Sequence, residues 1–409
     1  MDTRIDILYP DGKPVPRLVL QATRDSYINF RPVDSNGQGV RLKNWEEMEL
    51  NEYVYFQGEV ARIFRAPQGP DSDSILYPSL GTGRRCYFDS SPSAHANDST
   101  CYIVEPRQLA EKLIPNGLPV FPINYTNDDD SERRMGSDSK VYFTAPADGS
   151  YLIRVSDTRG FNGERYIYRL VVREPKPDFS VTIKGENPAV NAGSGKSFTV
   201  RADRTDGFEG DIRVDISGLP PGFSVSTPLV IQGTQLEALG TLNAASDAPA
   251  PTDVNGTTTK LAASATINGK EMSKEAGSLG RIKLEGKPKV VVMLQPIVPA
   301  EQAAGTVLEH GKIPEITITP GQTVPVLLKV TRNGFTELLT FAVDNLPHGV
   351  IVDNIGLNGV LIEKGLSERQ IFINAAKWVP ETERMCYAIE NQNGRQTSLP
   401  VLLKIRKPK

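Results

Sequence analysis

Three cysteines and three histidines are all that 409 residues supply, and both shortages exclude chemistry. Cys86 and Cys101 flank a polar stretch, while Cys386 stands alone in a strand-like context. A Cys86–Cys101 disulfide in an oxidising compartment and two unpaired thiols in a loop both fit, because spacing does not reveal connectivity. His95, His310 and His348 are scattered, with no pair at zinc-ligand spacing and no Gly-x-Ser-x-Gly turn beside them. Each is read as a surface or turn residue. Excess positive charge is missing too: 46 Lys plus Arg stand against 49 Asp plus Glu, which leaves nothing to displace counterions from a nucleic-acid backbone. No run approaches the roughly 18 apolar residues of a membrane span, and the opening MDTRIDILYPDGKP has no basic segment followed by an apolar one, so the chain as written carries no export signal.

What the chain does have is turns. Its 35 Gly and 31 Pro are spread along the whole length, as short strands separated by many reversals require. Apolar residues alternate with polar ones at Tyr151, Ile153 and Val155; at Tyr166, Tyr168, Leu170 and Val172; at Phe198, Val200 and Ala202; and at Ile212, Val214 and Ile216. That period of two marks half-buried strands. Asp148-Gly149, Asn162-Gly163 and Asp206-Gly207 lie between them and suit the positive φ of tight hairpin turns. Helical signals are few. Leu109 and Leu113 sit four apart within residues 107–114 before Pro115 stops the run, and residues 45–50 (WEEMEL) suit one further turn. The composition and pattern predict an all-β chain.

Such a length exceeds one hydrophobic core, so boundaries must exist. Glu174-Pro175-Lys176-Pro177 is the firmest, since proline fixes φ and denies a sheet its donor. A second lies at Gly286-Lys287-Pro288, giving regions 1–175, 176–286 and 287–409. The last two look like copies. Gly207-Phe208 matches Gly334-Phe335, Gly218-Leu219-Pro220-Pro221-Gly222 matches Asn345-Leu346-Pro347-His348-Gly349, and Asn243-Ala244-Ala245 matches Asn374-Ala375-Ala376, in the same order and at nearly one offset.

Asn127-Asp128-Asp129-Asp130, the run Phe143-Thr144-Ala145-Pro146-Ala147-Asp148-Gly149 and the strand Tyr151-Leu152-Ile153-Arg154-Val155 together resemble the closing half of a bacterial pre-peptidase C-terminal (PPC) domain. Residues 1–22 resemble that domain's preceding strand, with about 23–126 as a long insertion similar to that of large exported planctomycete proteins. Gly218 to Phe223 are similar to the G-L-P-x-G-F turn of the Ig-like modules that follow in such proteins. The resemblance implies tandem β-sandwiches: a PPC-like jelly-roll with its insertion, then two Ig-like modules. It also implies that the domain's opening strands precede Met1, so that Met1 is a truncation point or internal start, which would account for the missing leader.

Candidate sites are sparse. Asn127, Asp128, Asp129 and Asp130, with Asp138 in the same loop, offer the hard oxygen ligands that Ca²⁺ takes, without the EF-hand spacing; a solvated turn is the plainer reading. Some PPC relatives from secreted proteases bind calcium. Gly193-Ser194-Gly195-Lys196-Ser197 ends like a phosphate-binding loop, but Val190 stands where that motif needs glycine and a strand follows in place of a helix. Tyr53, Tyr55, Phe56 and Tyr77 form an aromatic group in the insertion that either contacts a sugar or protein or packs the insertion's own core. No acid, base or nucleophile constellation stands out. The expected function is a non-catalytic extracellular, cell-surface or periplasmic structural or adhesion protein, whose partner is a cell-surface protein or polysaccharide. The alternative is a carbohydrate-binding accessory region of a larger secreted hydrolase or protease. No cofactor is expected beyond calcium.

Overall fold

Nearly every element of the chain is a strand, and helix is confined to two three-residue 3-10 turns among the described residues, Trp45–Glu47 and Asn255–Thr257. The computed structural model describes residues 2–29, 37–67, 72–297, 313–353 and 359–407. The chain divides into two compact units, Met1–Arg173 and Glu174–Lys409.

Among the described residues, the N-terminal unit contains two sheets. Thr3–Leu8 lies between Leu152–Asp157 and Thr126–Asn127 in a three-stranded sheet. A seven-stranded sheet runs in the order Gly39–Val40, Ser74–Leu76, Glu59–Arg65, Tyr53–Phe56, Thr100–Arg107, Pro16–Tyr27, Val120–Asn124. Because successive side chains point to opposite faces, this sheet carries a core on each side. Val54, Phe56, Cys101 and Ile103 belong to one, and Leu18, Leu20, Val60 and Val104 to the other. Pro16–Tyr27 crosses residue 23, where an insertion was expected to open, and pairs with both Thr100–Arg107 and Val120–Asn124.

Two local expectations fail here. Residues 107–114 form no helix: Thr100–Arg107 is strand to its last residue, a turn follows with Glu111 N donating to Gln108 O at 2.9 Å, and Leu109 is 49% exposed. Eight residues before a proline cannot repay helix nucleation when no apolar layer faces their leucines. Tyr166, Tyr168, Leu170 and Val172 lie in no strand and are exposed, although their alternation predicts one.

The C-terminal unit holds two sandwiches with separate cores, one from Phe179 to Ile282 and one from Val290 to Ile405. Their strands pair in the same order. In the first, Gly195–Thr205 lies between Asp178–Lys184 and Glu237–Ala244, with Phe223–Val225 beyond; in the second, Thr323–Arg332 lies between Val290–Pro296 and Glu368–Ala375, with Val350–Asp353 beyond. The facing sheets centre on Ile212–Ser217 and Leu339–Asp344, each flanked by equivalent strands. A parallel pair closes each module, Ala189–Asn191 with Lys283–Glu285 and Glu315–Ile318 with Val401–Ile405. The matched motifs occupy equivalent turns: Gly218 and Asn345 both have positive φ (73° and 61°), and Ala245 N donates to Gly222 O as Ala376 N does to Gly349 O, each at 2.9 Å. A left-handed backbone is open to glycine and tolerated by asparagine, so the repeat survives that exchange.

One sheet crosses both modules. Gln396–Thr397 pairs with the first residues of Gly195–Thr205, Gly195 opposite Thr397 and Lys196 opposite Gln396, which joins the two modules into a ten-stranded sheet. Buried polar contacts line this seam. Ser194 Oγ donates to Gln396 Oε1 at 2.7 Å, Tyr387 Oη to Gly240 O at 3.0 Å and Asn243 Nδ2 to Ser398 O at 3.2 Å, and the Thr241 and Thr397 hydroxyls touch. Lower down, Arg384 Nη1 and His348 N both donate to Gln232 Oε1, at 2.8 and 3.0 Å.

Candidate functional site

The acidic turn starts where the short strand Thr126–Asn127 ends against Ile5 and Asp6. Its residues have separate tasks. Asn127 Oδ1 accepts from Ser91 Oγ at 2.6 Å and from Asp128 N at 3.1 Å, and its amide donates to Lys140 O at 3.0 Å. Asp128 also accepts from Ser91 Oγ. Asp130 is buried and accepts from Glu132 N and Arg134 N at 3.3 and 3.0 Å, so it closes its own turn. Asp138 is exposed, with its N donating to Met135 O at 3.2 Å. Burial raises the Asp128 and Asp129 carboxyls above their ordinary range, reinforced by the charge of Asp2 on both and of Asp128 on Asp129. Among the described residues, no group of three or more His, Cys, Asp or Glu side chains could hold a metal ion.

A cluster absent from the sequence reading lies inside the seven-stranded sheet's unit. Tyr53–Phe56 and Glu59–Arg65 form a two-residue hairpin through Gln57 and Gly58, both with positive φ (50° and 111°), the form whose twist matches the flanking strands. That turn delivers the Glu59 carboxylate to Arg84, which grips it with two bonds, Nε to Oε1 at 2.5 Å and Nη2 to Oε2 at 2.8 Å. Ser93 N donates to Glu59 Oε2 at 2.8 Å, and His95 Nε2 lies 3.2 Å from the same oxygen. Cys86 Sγ points at Glu59 Oε1 from 3.7 Å. All four side chains are buried. Burial opposes ionisation of Glu59, but the bonds from Arg84 and His95 outweigh it and hold the carboxyl at about 2. Burial pushes the Cys86 thiol well up, helped by the Glu59 charge.

This cluster corrects the placing of His95: it is a buried residue whose ring lies tilted against Phe56 at 4.5 Å, not a surface one. His348 is half-buried in the turn before Val350–Asp353, beside Trp378 at 5.3 Å, and His310 lies outside the described residues. A general base needs a pKa near the working pH and a free oxygen, and Glu59 has neither. A thiol pushed upward is a poor nucleophile. The three thiols are free and buried, so Cys86 and Cys101 are not bridged.

The aromatic residues mostly serve packing. Phe56 and Tyr77 are buried, Tyr53 meets Tyr87 and Phe88 at 5.3 and 5.2 Å, and Arg62 lies over Tyr53 and Tyr77. Tyr55 stacks on Phe121 at 4.0 Å, with Tyr102 5.3 Å from the same ring; these three rings are half-buried at one end of the sheet. The phosphate-loop-like run also has a structural task. Ser194 and Gly195 belong to the seam, and Lys196 Nζ donates to Gly394 O at 2.7 Å.

No protein-family model matches this chain, and no curated protein does. Solved structures similar to it include a protein of unknown function from Porphyromonas gingivalis W83, at 12% identity over 56% of this chain and 99% of that one, with a TM-score of 0.20. The fibronectin(III)-like modules of Clostridium thermocellum CbhA give 13% identity, 56% and 93% coverage and a TM-score of 0.16. The D00-D0 domain of Intimin gives 9%, 55%, 98% and 0.18.

Proposed function

We propose that this chain is a non-catalytic structural or adhesion protein of the cell surface or extracellular space, in which the two C-terminal modules act as a rigid spacer and the N-terminal unit presents a surface to a cell-surface protein or polysaccharide. The observation that supports it is the seam. A sheet continued from one sandwich into the next, with side chains of both buried along it, limits bending between modules, which suits a spacer. The buried ionisable groups fit the same reading, since Arg84 and Glu59 neutralise one another in the interior. The test is binding of the full chain to cell-wall polymers and surface proteins, with protease and glycosidase turnover measured alongside. Saturable binding without turnover is expected; turnover by the purified chain overturns the proposal.

The half-buried rings of Tyr55, Tyr102 and Phe121 favour a second reading, a carbohydrate-binding accessory region of a larger secreted hydrolase or protease. Aromatic faces stack on the apolar faces of sugar rings. A glycan array on the wild type and on Tyr55→Ala separates the two: sugar binding lost with the ring supports the accessory role.

A further inference from the structure

Every residue from 158 to 173, the last part of the N-terminal unit, is exposed. Many of them are apolar. Phe161, Tyr168 and the run Leu170-Val171-Val172 all stand in water, and Ile167 is 85% exposed. A contiguous apolar patch on the surface of a folded unit marks a place of contact. The same stretch is basic. Over residues 164–173, Arg165, Arg169 and Arg173 stand against Glu164, whereas the whole chain has 46 Lys plus Arg against 49 Asp plus Glu. The positive charge is therefore local. Phe161 stacks on Tyr166 at 6.2 Å and Arg159 lies over the Phe161 ring at 5.4 Å, so guanidinium and ring faces already lie together.

We propose that residues 159–173 are a lipid-surface anchor, by which the N-terminal unit docks on a membrane leaflet rich in anionic headgroups. This partner is additional to the function argued above and does not depend on it. The spacing of charge is the first support. Arg165, Arg169 and Arg173 are four apart, so they share one stripe if the segment coils and one face if it extends. In the coiled form Ile167 and Val171 stand opposite that stripe; in the extended form Tyr166, Tyr168, Leu170 and Val172 take the other face. Either backbone separates charge from apolar surface, the pattern of a segment that lies in an interface. Residue type is the second support. Guanidiniums reach phosphates while their stems cover apolar surface, and tyrosine rings sit at headgroup depth. Residues 158–173 belong to no helix or strand, which suits the wet headgroup region and not the hydrocarbon core, where backbone groups need internal partners. Charge decides between occupants: a second copy of the segment would set like charge against like, which an anionic leaflet does not.

The test is sedimentation of the full chain with phosphatidylcholine vesicles that contain or lack phosphatidylglycerol. Binding is expected where the anionic lipid is present. Each basic charge at an anionic surface is worth about fivefold in affinity, so Arg165→Gln with Arg169→Gln should weaken binding roughly thirtyfold. Ile167→Asp with Val171→Asp should abolish it, and because all four residues are exposed both variants should keep the melting temperature of the wild type. Ile167→Trp reads depth: its emission should move to the blue on anionic vesicles, beyond any change from Trp45 and Trp378 in the wild type. Failure to sediment with the anionic vesicles, binding that both double variants retain, or an unmoved Ile167→Trp emission would each overturn the proposal. A dimer of the lipid-free chain that Ile167→Asp dissociates would overturn it too, by assigning the patch to a second copy.

Discussion

Glu59 shows how one side chain can organise a loop without doing chemistry. Its carboxylate takes bonds from Arg84, from Ser93 N and from His95, which fixes residues 84–95 against the hairpin that carries it. Removing one partner from a buried ion pair typically costs about 3–5 kcal/mol, because the other charge stays buried and uncompensated. Glu59→Ala should therefore destabilise the N-terminal unit by that order in a denaturant melt. Since its carboxyl is held at about 2 against an ordinary 4.5, this contribution is complete above pH 4.5 and is lost as pH falls towards 2. Acid titration followed by near-ultraviolet circular dichroism should show that loss in the wild type and a shallower dependence in Glu59→Gln. The acidic turn gives the opposite expectation for ligand. Millimolar calcium should leave the melting temperature of the N-terminal unit unchanged, whereas Asp130→Ala should lower it by freeing Glu132 N and Arg134 N. A calcium-dependent rise of several degrees would refute this.

Strands with one face on a core were legible from alternation. Phe198, Val200 and Ala202 are all buried, as are Ile212, Val214 and Ile216, because each alternating set faces the interior of one sandwich. The turn motifs were legible for a related reason: positive φ restricts Gly218, Gly222, Asn345 and Gly349 to a few residue types, so the pattern outlasts other divergence. The Glu59 cluster was not legible, since its members come from residues 59, 84, 86 and 95 and only pairing brings them together. Nor was the seam, because Gly193 to Ser197 reads locally as a turn into a strand and nothing local names Gln396 as its partner. Gly195 is what permits that contact. A Cβ there would stand 2.2 Å from both Asn243 Nδ2 and Thr397 Oγ1. Gly195→Val should cost at least the roughly 1–3 kcal/mol of an overpacked site. Exchange at the amides of Thr397 and Ser398 should rise with it; an unchanged melt would show that the seam yields at no cost.

Two separate cores ordinarily mean two separate unfolding events, and the C-terminal unit has two. The seam argues otherwise. Buried hydrogen bonds that cross it, such as Ser194 to Gln396 and Asn243 to Ser398, have donors or acceptors that lose their partners if either module opens alone. Each buried group left unsatisfied costs about 1–3 kcal/mol, and several lost together form an appreciable part of a domain's stability of about 5–15 kcal/mol. Opening one module should therefore weaken its neighbour. Glu390 strengthens the coupling: its buried carboxylate accepts from Gln392 N, Asn393 N and Gln396 N, at 2.7 to 2.8 Å, and so shapes the loop that carries Gln396 and Thr397 across. Calorimetry of the full chain should accordingly show a single transition for both C-terminal modules. Glu390→Ala should split it in two, with the first module, whose own core is untouched by the change, retaining more of its stability. Separate transitions in the wild type would show that the seam is too weak to couple the modules, and the rigid spacer would fail with it.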